Sequence, residues 1–105
     1  MMNERIKIKL YNQTYKEIDL SDFTVIEEEL FSNRDDIVEV ELPAGVKVIG
    51  PHAFEHCSRL ERVVLPDTIE RIERDAFHNC RMLEEVVNMD KAVIADGAFK
   101  GCINL

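Results

Sequence analysis

The sequence has no tryptophan, and its 105 residues include only two tyrosines, three prolines and four glycines. With apolar residues at 46% and charged residues at 32%, so little glycine and proline excludes a disordered chain and fits one globular domain with one continuous core. No apolar run approaches the ~18–20 residues that span a bilayer, which excludes helical membrane insertion. The opening stretch from Met1 to Leu10 alternates charged and aliphatic residues and lacks the apolar centre of a signal peptide. A cytoplasmic location is therefore expected, or a cell-surface or secreted one if a leader precedes the sequence. Positive charge is also scarce: Lys plus Arg number 13 against 21 Asp plus Glu, for a net charge of −8. Such a field repels nucleic-acid phosphates and anionic membranes, so no nucleic-acid partner is expected, and a basic partner would be steered in.

What the sequence does have is a repeat. Leu42-Pro43 returns as Leu65-Pro66, and Ala53-Phe54 returns as Ala76-Phe77 and Ala98-Phe99. Cys57 recurs as Cys80 and Cys102, Leu60 as Leu83 and Leu105, Val40 as Val63 and Val86, and Ile49 as Ile72 and Ile94. The step is 23 residues and then 22, with one residue missing near Lys91–Val93. Subtracting 23 from Ile49, Phe54 and Leu60 gives Ile26, Phe31 and Ile37, all apolar, so residues 18–40 read as a degenerate first repeat. Phe23, Ile26 and Leu30 also have helical spacing, and an amphipathic helix over Ser21–Ser32 is the rival reading. Repeats at 41–63, 64–86 and 87–105 complete the single domain.

Within a unit the period changes. Leu60, Val63 and Leu65 turn inward, Val64 falls on the opposite face, and Pro66 ends that strand for want of an N–H. Thr68–Ile72 reads as a second short extended or turning segment burying Ile69 and Ile72. Asp75–Cys80 reads as a single helical turn carrying Ala76, Phe77 and Cys80 inward. One unit cannot bury these residues alone; stacked units place like on like, about 4.8 Å apart. Ile6, Ile8 and Leu10, then the polar Tyr11–Tyr15, then Ile18 and Leu20, read as an N-terminal capping β-hairpin over residues 1–20. After Leu105 no matching strand follows, so self-association through an uncapped C-terminal face is expected, or the chain is a fragment of a longer array.

The run Leu65-Pro66-Asp67-Thr68-Ile69-Glu70-Arg71-Ile72, followed by Asp75-Ala76-Phe77-His78-Asn79-Cys80-Arg81-Met82-Leu83-Glu84-Glu85-Val86, resembles the BspA-like (Treponema-type) leucine-rich repeat. Leu42–Val63 is similar to it as well, with Ile49-Gly50 and Ala53-Phe54 in place. Glu73 stands where that family usually has glycine, and Asn88-Met89 where leucine–proline is usual. The resemblance implies an α/β leucine-rich-repeat right-handed solenoid with a parallel β-sheet on one face and short helical turns. It further implies a binding role, adhesion or host contact among them, and it supplies no common catalytic residues.

Cys57, Cys80 and Cys102 are one repeat apart rather than at the two-to-four-residue spacing of zinc pairs, and read as an inward ladder of reduced thiols. His52 and His56 share a face if their segment is helical, with Cys57 adjacent and His78 near Cys80. The histidines do not share one repeat position, so surface histidines at turns are the default and neither a metal site nor a cofactor is expected. The thiols should be buried, which disfavours nucleophilic catalysis, and no phosphate-binding glycine loop is present. The binding residues expected from strand alternation are Glu39, Glu41, Arg62, Val64, Glu85 and Val87, with Val64 and Val87 aliphatic where water favours polar groups. The ordinary alternative is that β-branched residues simply favour strands. The sequence thus points to a non-enzymatic protein-interaction module, with a structural or self-assembling repeat fragment as the alternative.

Overall fold

The computed structural model describes residues 5–19 and 24–105. Met1–Glu4 and Leu20–Phe23 lie outside the described residues, as do the parts of the expected hairpin, first repeat and rival helix that fall on them. Nine strands are present among the described residues: β1 (Arg5–Leu10), β2 (Tyr15–Asp19), β3 (Val25–Ile26), β4 (Ile37–Glu41), β5 (Val48–Ile49), β6 (Arg62–Val64), β7 (Arg71–Ile72), β8 (Glu85–Val87) and β9 (Val93–Ile94). They form a five-stranded sheet in the order β2-β1-β4-β6-β8 and a four-stranded sheet in the order β3-β5-β7-β9. The chain passes from the second sheet to the first in each coil: 25–41, 48–64, 71–87, and a last coil from 93 onward. Strands of two or three residues have no stability alone, and each is held by its neighbour one coil away.

Register fixes the stack. Glu39, Val40 and Glu41 pair in parallel with Arg62, Val63 and Val64, and these with Glu85, Val86 and Val87, a shift of 23 at each step. Val48-Ile49 pairs with Arg71-Ile72 at 23, but Arg71-Ile72 pairs with Val93-Ile94 at 22. The missing residue is absorbed between β8 and β9, in a 3-10 turn at Met89–Lys91 preceded by Asn88 at φ 69°. Asn88 repairs the loss of the leucine–proline step by donating its side-chain N–H to the Leu65 carbonyl at 2.8 Å.

The core is a set of columns. Phe31, Phe54, Phe77 and Phe99 stack at centroid distances of 5.2, 5.1 and 5.2 Å, with interplanar angles of 16°, 0° and 3°. Phe54 and Phe77 are wholly buried, as are Leu60 and Leu83, Val63 and Leu65, and Ile49. The cysteines form a parallel column in which each buried thiol donates to the carbonyl of a phenylalanine in the preceding coil: Cys57 to Phe31 at 3.2 Å, Cys80 to Phe54 at 3.0 Å, and Cys102 to Phe77 at 3.0 Å. A small apolar side chain with a weak donor suits that slot. In the first coil, where Arg34 replaces the cysteine, the guanidinium instead makes paired bonds to Asp36 at 2.9 and 3.0 Å.

The structure corrects the sequence reading on the turns. The segments expected as helical turns are not helices, and the described residues contain no α-helix, so the α/β label does not hold. From Gly50 to Cys57 the amides alternate between two jobs. Those of Ala53, Glu55 and Cys57 bond three residues back within the coil, whereas those of His52, Phe54 and His56 bond Arg74, Ala76 and His78 in the next coil. A helix would spend every amide on its own chain four residues back, leaving none for the neighbouring coil. The alternation requires two left-handed residues per coil: Glu29 and Asn33, His52 and His56, Asp75 and Asn79, and Gly97 and Gly101. The second short segment expected at Thr68–Ile72 as extended or turning holds strand β7, and it buries Ile69 and Ile72.

The N-terminal segment is an antiparallel hairpin: Lys7 pairs with Glu17 and Lys9 with Tyr15, and β1 then lies antiparallel on β4, with Lys7 opposite Glu41 and Lys9 opposite Glu39. Ile6, Ile8 and Leu10 complete the buried core on that side.

Candidate functional site on the outer sheet face

Alternation along the five-stranded sheet sorts its side chains into a buried face and an outer one. Ile6, Ile8, Val40, Val63 and Val86 are buried. The outer residues form two rows that cross the strands. One row runs Tyr15, Lys9, Glu39, Arg62, Glu85, and the other Glu17, Lys7, Glu41, Val64, Val87. All six residues expected from the sequence lie in these rows, next to one another across β4, β6 and β8.

Charge alternates along the first row. Arg62 donates to Glu85 at 2.6 Å, and that bond, reinforced by Glu39 and Glu41, raises the arginine's pKa further. In the second row the Lys7 ammonium lies 3.5 Å from the Glu41 carboxylate. Arg5 and Glu17 add a bond of 2.9 Å beyond it. Directly opposite charges in adjacent strands favour this register over slipped ones. Counted by residue, the two rows set Lys7, Lys9 and Arg62 against Glu17, Glu39, Glu41 and Glu85, so they carry a formal −1 of the chain's −8. The row ends in Val64 and Val87, two half-buried aliphatic side chains side by side.

Between the rows lies a shallow depression of about 150 Å³ lined by Lys7, Lys9, Tyr15, Glu39, Glu41, Arg62 and Val64. Sequence reasoning found four of these and missed Lys7, Lys9 and Tyr15, because it took the hairpin as a cover for the end of the stack. The alternation of β1 was legible; its antiparallel addition to the same sheet was not. Glu85 and Val87 lie one strand beyond the depression. A second hollow, of about 500 Å³, is lined by Tyr11, Asp35, Val38, Ser58, Arg59, Glu61 and Met82, with the Arg59 guanidinium 3.8 Å above the Tyr11 ring. None of these residues was singled out in advance as a binding residue.

Away from the sheet, the structure gathers polar side chains that the sequence scatters. Glu55 accepts bonds from His52 Nδ1 and His78 Nδ1, both at 2.9 Å. These bonds, the one from His78 foremost, hold the Glu55 carboxyl below its ordinary pKa, and Glu55 in turn raises that of His52. His52 and His56 do not share a helical face, since each stands at a left-handed position of a turn. In the cysteine column, hydrogen-bond contact with the sulfurs of Cys102 and Cys57, together with burial, pushes the Cys80 thiol upward, away from a reactive thiolate.

No helix among the described residues is long and apolar enough to cross a membrane. Residues 3–105 match the family model described as BspA type leucine rich repeat region (6 copies). The chain is similar to the crystal structure of a leucine-rich repeat protein from Bacteroides ovatus, with a TM-score of 0.74 and 35% identity over 78% of this chain and 22% of that one. It is also similar to the crystal structure of a T. pallidum leucine-rich repeat protein, with a TM-score of 0.61 and 26% identity over 83% of this chain and 53% of that one. The chain therefore spans about a fifth of the first structure and about half of the second. No curated protein matches it. Leucine-rich repeats of this kind serve as protein-interaction or structural modules and are generally not enzymes. With the repeat columns, the parallel coils and a model match over nearly its whole length, the chain belongs to the BspA-type leucine-rich repeat family.

Proposed function

We propose that the chain is a non-enzymatic protein-binding module that holds its partner on the outer face of the five-stranded sheet. The observation that carries this reading is the nearly neutral, charge-alternating face ending in the Val64–Val87 aliphatic pair. Fixed charges on a rigid sheet set the orientation of a partner, and adjacent aliphatics supply the area that loses water on contact. The rest of the acidic surface discourages non-specific association with nucleic acid and anionic lipid. Adhesion or host contact is one use of such a face, and a peptide or protein displaying a complementary row of charges beside an apolar residue is its expected ligand. Val64→Lys combined with Val87→Lys should abolish capture of the partner while leaving the circular-dichroism spectrum and melting midpoint near those of the parent. Capture at parental affinity by the folded double variant would remove this face from consideration.

A second reading, a structural or self-assembling repeat unit, is favoured by the last coil. Val93, Ile94, Ile103 and Leu105 are 69%, 42%, 78% and 45% exposed, and Phe99 stacks on one side only, on Phe77. That face suits a further coil or a second copy. At the other end, the antiparallel β1 occupies the β4 edge, where a parallel coil would otherwise add, so the hairpin acts as a cap. Sedimentation velocity at increasing concentration separates the readings. Growth of a dimer that is lost in Ile94→Lys supports assembly through the last coil, and a monomer throughout counts against it.

A further inference from the structure

We propose that Glu55, His56 and His78 form a site for one divalent transition-metal ion of the zinc type, which would clamp the second coil to the third. Glu55 and His78 are 23 residues apart and occupy the same position in adjacent coils. One ring nitrogen from each histidine and one carboxylate oxygen of Glu55 lie within 4.8 Å of one another. Two imidazoles with one carboxylate suit zinc, cobalt or nickel; calcium and magnesium prefer all-oxygen sets.

The geometry is close to what such an ion needs. Metal–ligand bonds of about 2.1 Å at tetrahedral angles put neighbouring ligand atoms roughly 3.4 Å apart. Glu55 Oε2 and His78 Nδ1 already stand 2.9 Å apart. His56 is exposed, so its ring is the ligand with room to move toward the other two, from which it lies within 4.8 Å. Its ring lies over that of His78 with centroids 5.4 Å apart. Three protein ligands on a part-exposed surface leave a fourth position for water, and the opening to solvent provides a route of entry.

A supporting layer is present as well. His52 Nδ1 holds the shared Glu55 Oε2 at 2.9 Å, while His52 Nε2 lies 3.8 Å from Asp75 Oδ2 and 3.3 Å from Arg74 Nη1. That chain orients the carboxylate as outer partners orient metal ligands elsewhere. The Asn79 amide nitrogen sits 3.4 Å from His56 Nδ1. Imidazoles bind metal in their neutral form, so affinity should rise with pH.

The test is calorimetric titration of the untagged full chain with zinc chloride at about pH 7.5 and about pH 5.5. We expect one equivalent bound with micromolar affinity at the higher pH and weak binding at the lower. His56→Gln and His78→Gln should each weaken binding by at least tenfold, and His52→Gln by about tenfold, as expected for a ligand and an outer partner respectively. Spectra recorded in chelator establish that each variant is folded. Should His78→Gln not fold, cobalt substitution of the parent chain decides: an intense visible band of tetrahedral cobalt supports the site, and the pale spectrum of hexa-aqua cobalt overturns it. Absence of zinc binding at millimolar metal, or parental affinity in the folded His56→Gln and His78→Gln variants, overturns it equally.

Discussion

Replacing Phe77 by alanine should cost more than the same change at Phe99 in the same aromatic column. Phe77 is wholly buried and stacks on Phe54 at 5.1 Å and on Phe99 at 5.2 Å. Truncating a buried phenylalanine costs about 3–5 kcal/mol, and each ring pair contributes about 0.5–1.5 kcal/mol beyond area. Loss of two stacked pairs places Phe77→Ala near the top of that range. Phe99 stacks on one neighbour only and is part-exposed, so Phe99→Ala should cost less by at least about 1 kcal/mol. Against a total stability of ~5–15 kcal/mol for a domain, the first change removes a third or more and the second much less. Urea unfolding followed by circular dichroism measures both, with the midpoint falling further for Phe77→Ala at an unchanged slope. If the two variants unfold at the same urea concentration, or Phe99→Ala is the weaker protein, the column does not carry the stack.

Gly50→Ala should lower the melting midpoint sharply, because a Cβ there would stand 2.6 Å from the Ile26 carbonyl oxygen in the neighbouring coil; a midpoint unchanged from the parent would show that the coils separate easily. The three thiols should resist aqueous thiol reagents in the native state and react fully in denaturant, with Cys102, 9% exposed, reacting before Cys57 and Cys80, both at 0%; simultaneous labelling of all three would contradict the closed column. The Glu55–His52 pair should make stability depend on pH with two signs. Glu55, lowered on folding, contributes above its unfolded value and loses that contribution as pH falls through its folded pKa; His52, raised on folding, contributes fully below about 6.5 and loses it as pH rises through its folded pKa. The melting midpoint should therefore gain most from this pair between about pH 5 and 6.5, a maximum that Glu55→Gln should flatten.

The parts of the fold that were legible in the sequence are those written as identity at a fixed step. Phe54, Phe77 and Phe99 recur beside alanine, and counting back 23 residues lands on Phe31, whose ring stacks on Phe54. The outer rows were legible for the same reason, since strand alternation together with the 23-residue step puts Glu39, Arg62 and Glu85 in one line. The turns were not. Ala76, Phe77 and Cys80 have the spacing of one helical turn, but that spacing cannot reveal where the amides bond. In the folded chain every second amide of the turn bonds to the neighbouring coil, at the cost of left-handed residues such as His52 and Asp75.

That same exchange explains why the histidine cluster was hidden. Within the chain, His52 and His56 suggest a ligand pair only if four residues make a helical turn, and these do not. In a solenoid, the neighbours of a side chain are the residues about 22 or 23 positions before and after it, and they lie as close as any in its own segment. Read down the column, Glu55 meets His78, His52 meets Asp75, and His56 meets Asn79, so a carboxylate, three imidazoles and their supporting groups converge although no two histidines share a repeat position. Breaking the pattern is what makes the cluster: identical residues at one position would give a uniform stripe, whereas unlike residues in successive coils assemble a mixed set of donors. The last coil shows the reverse, with glycines at both left-handed positions and Lys100 in place of His78, so the cluster is confined to the second and third coils. Transplanting it one coil along, by His78→Glu, Asn79→His and Lys100→His together, should move zinc affinity to the third and fourth coils, and calorimetry of that chain would show whether column neighbours alone suffice to build it.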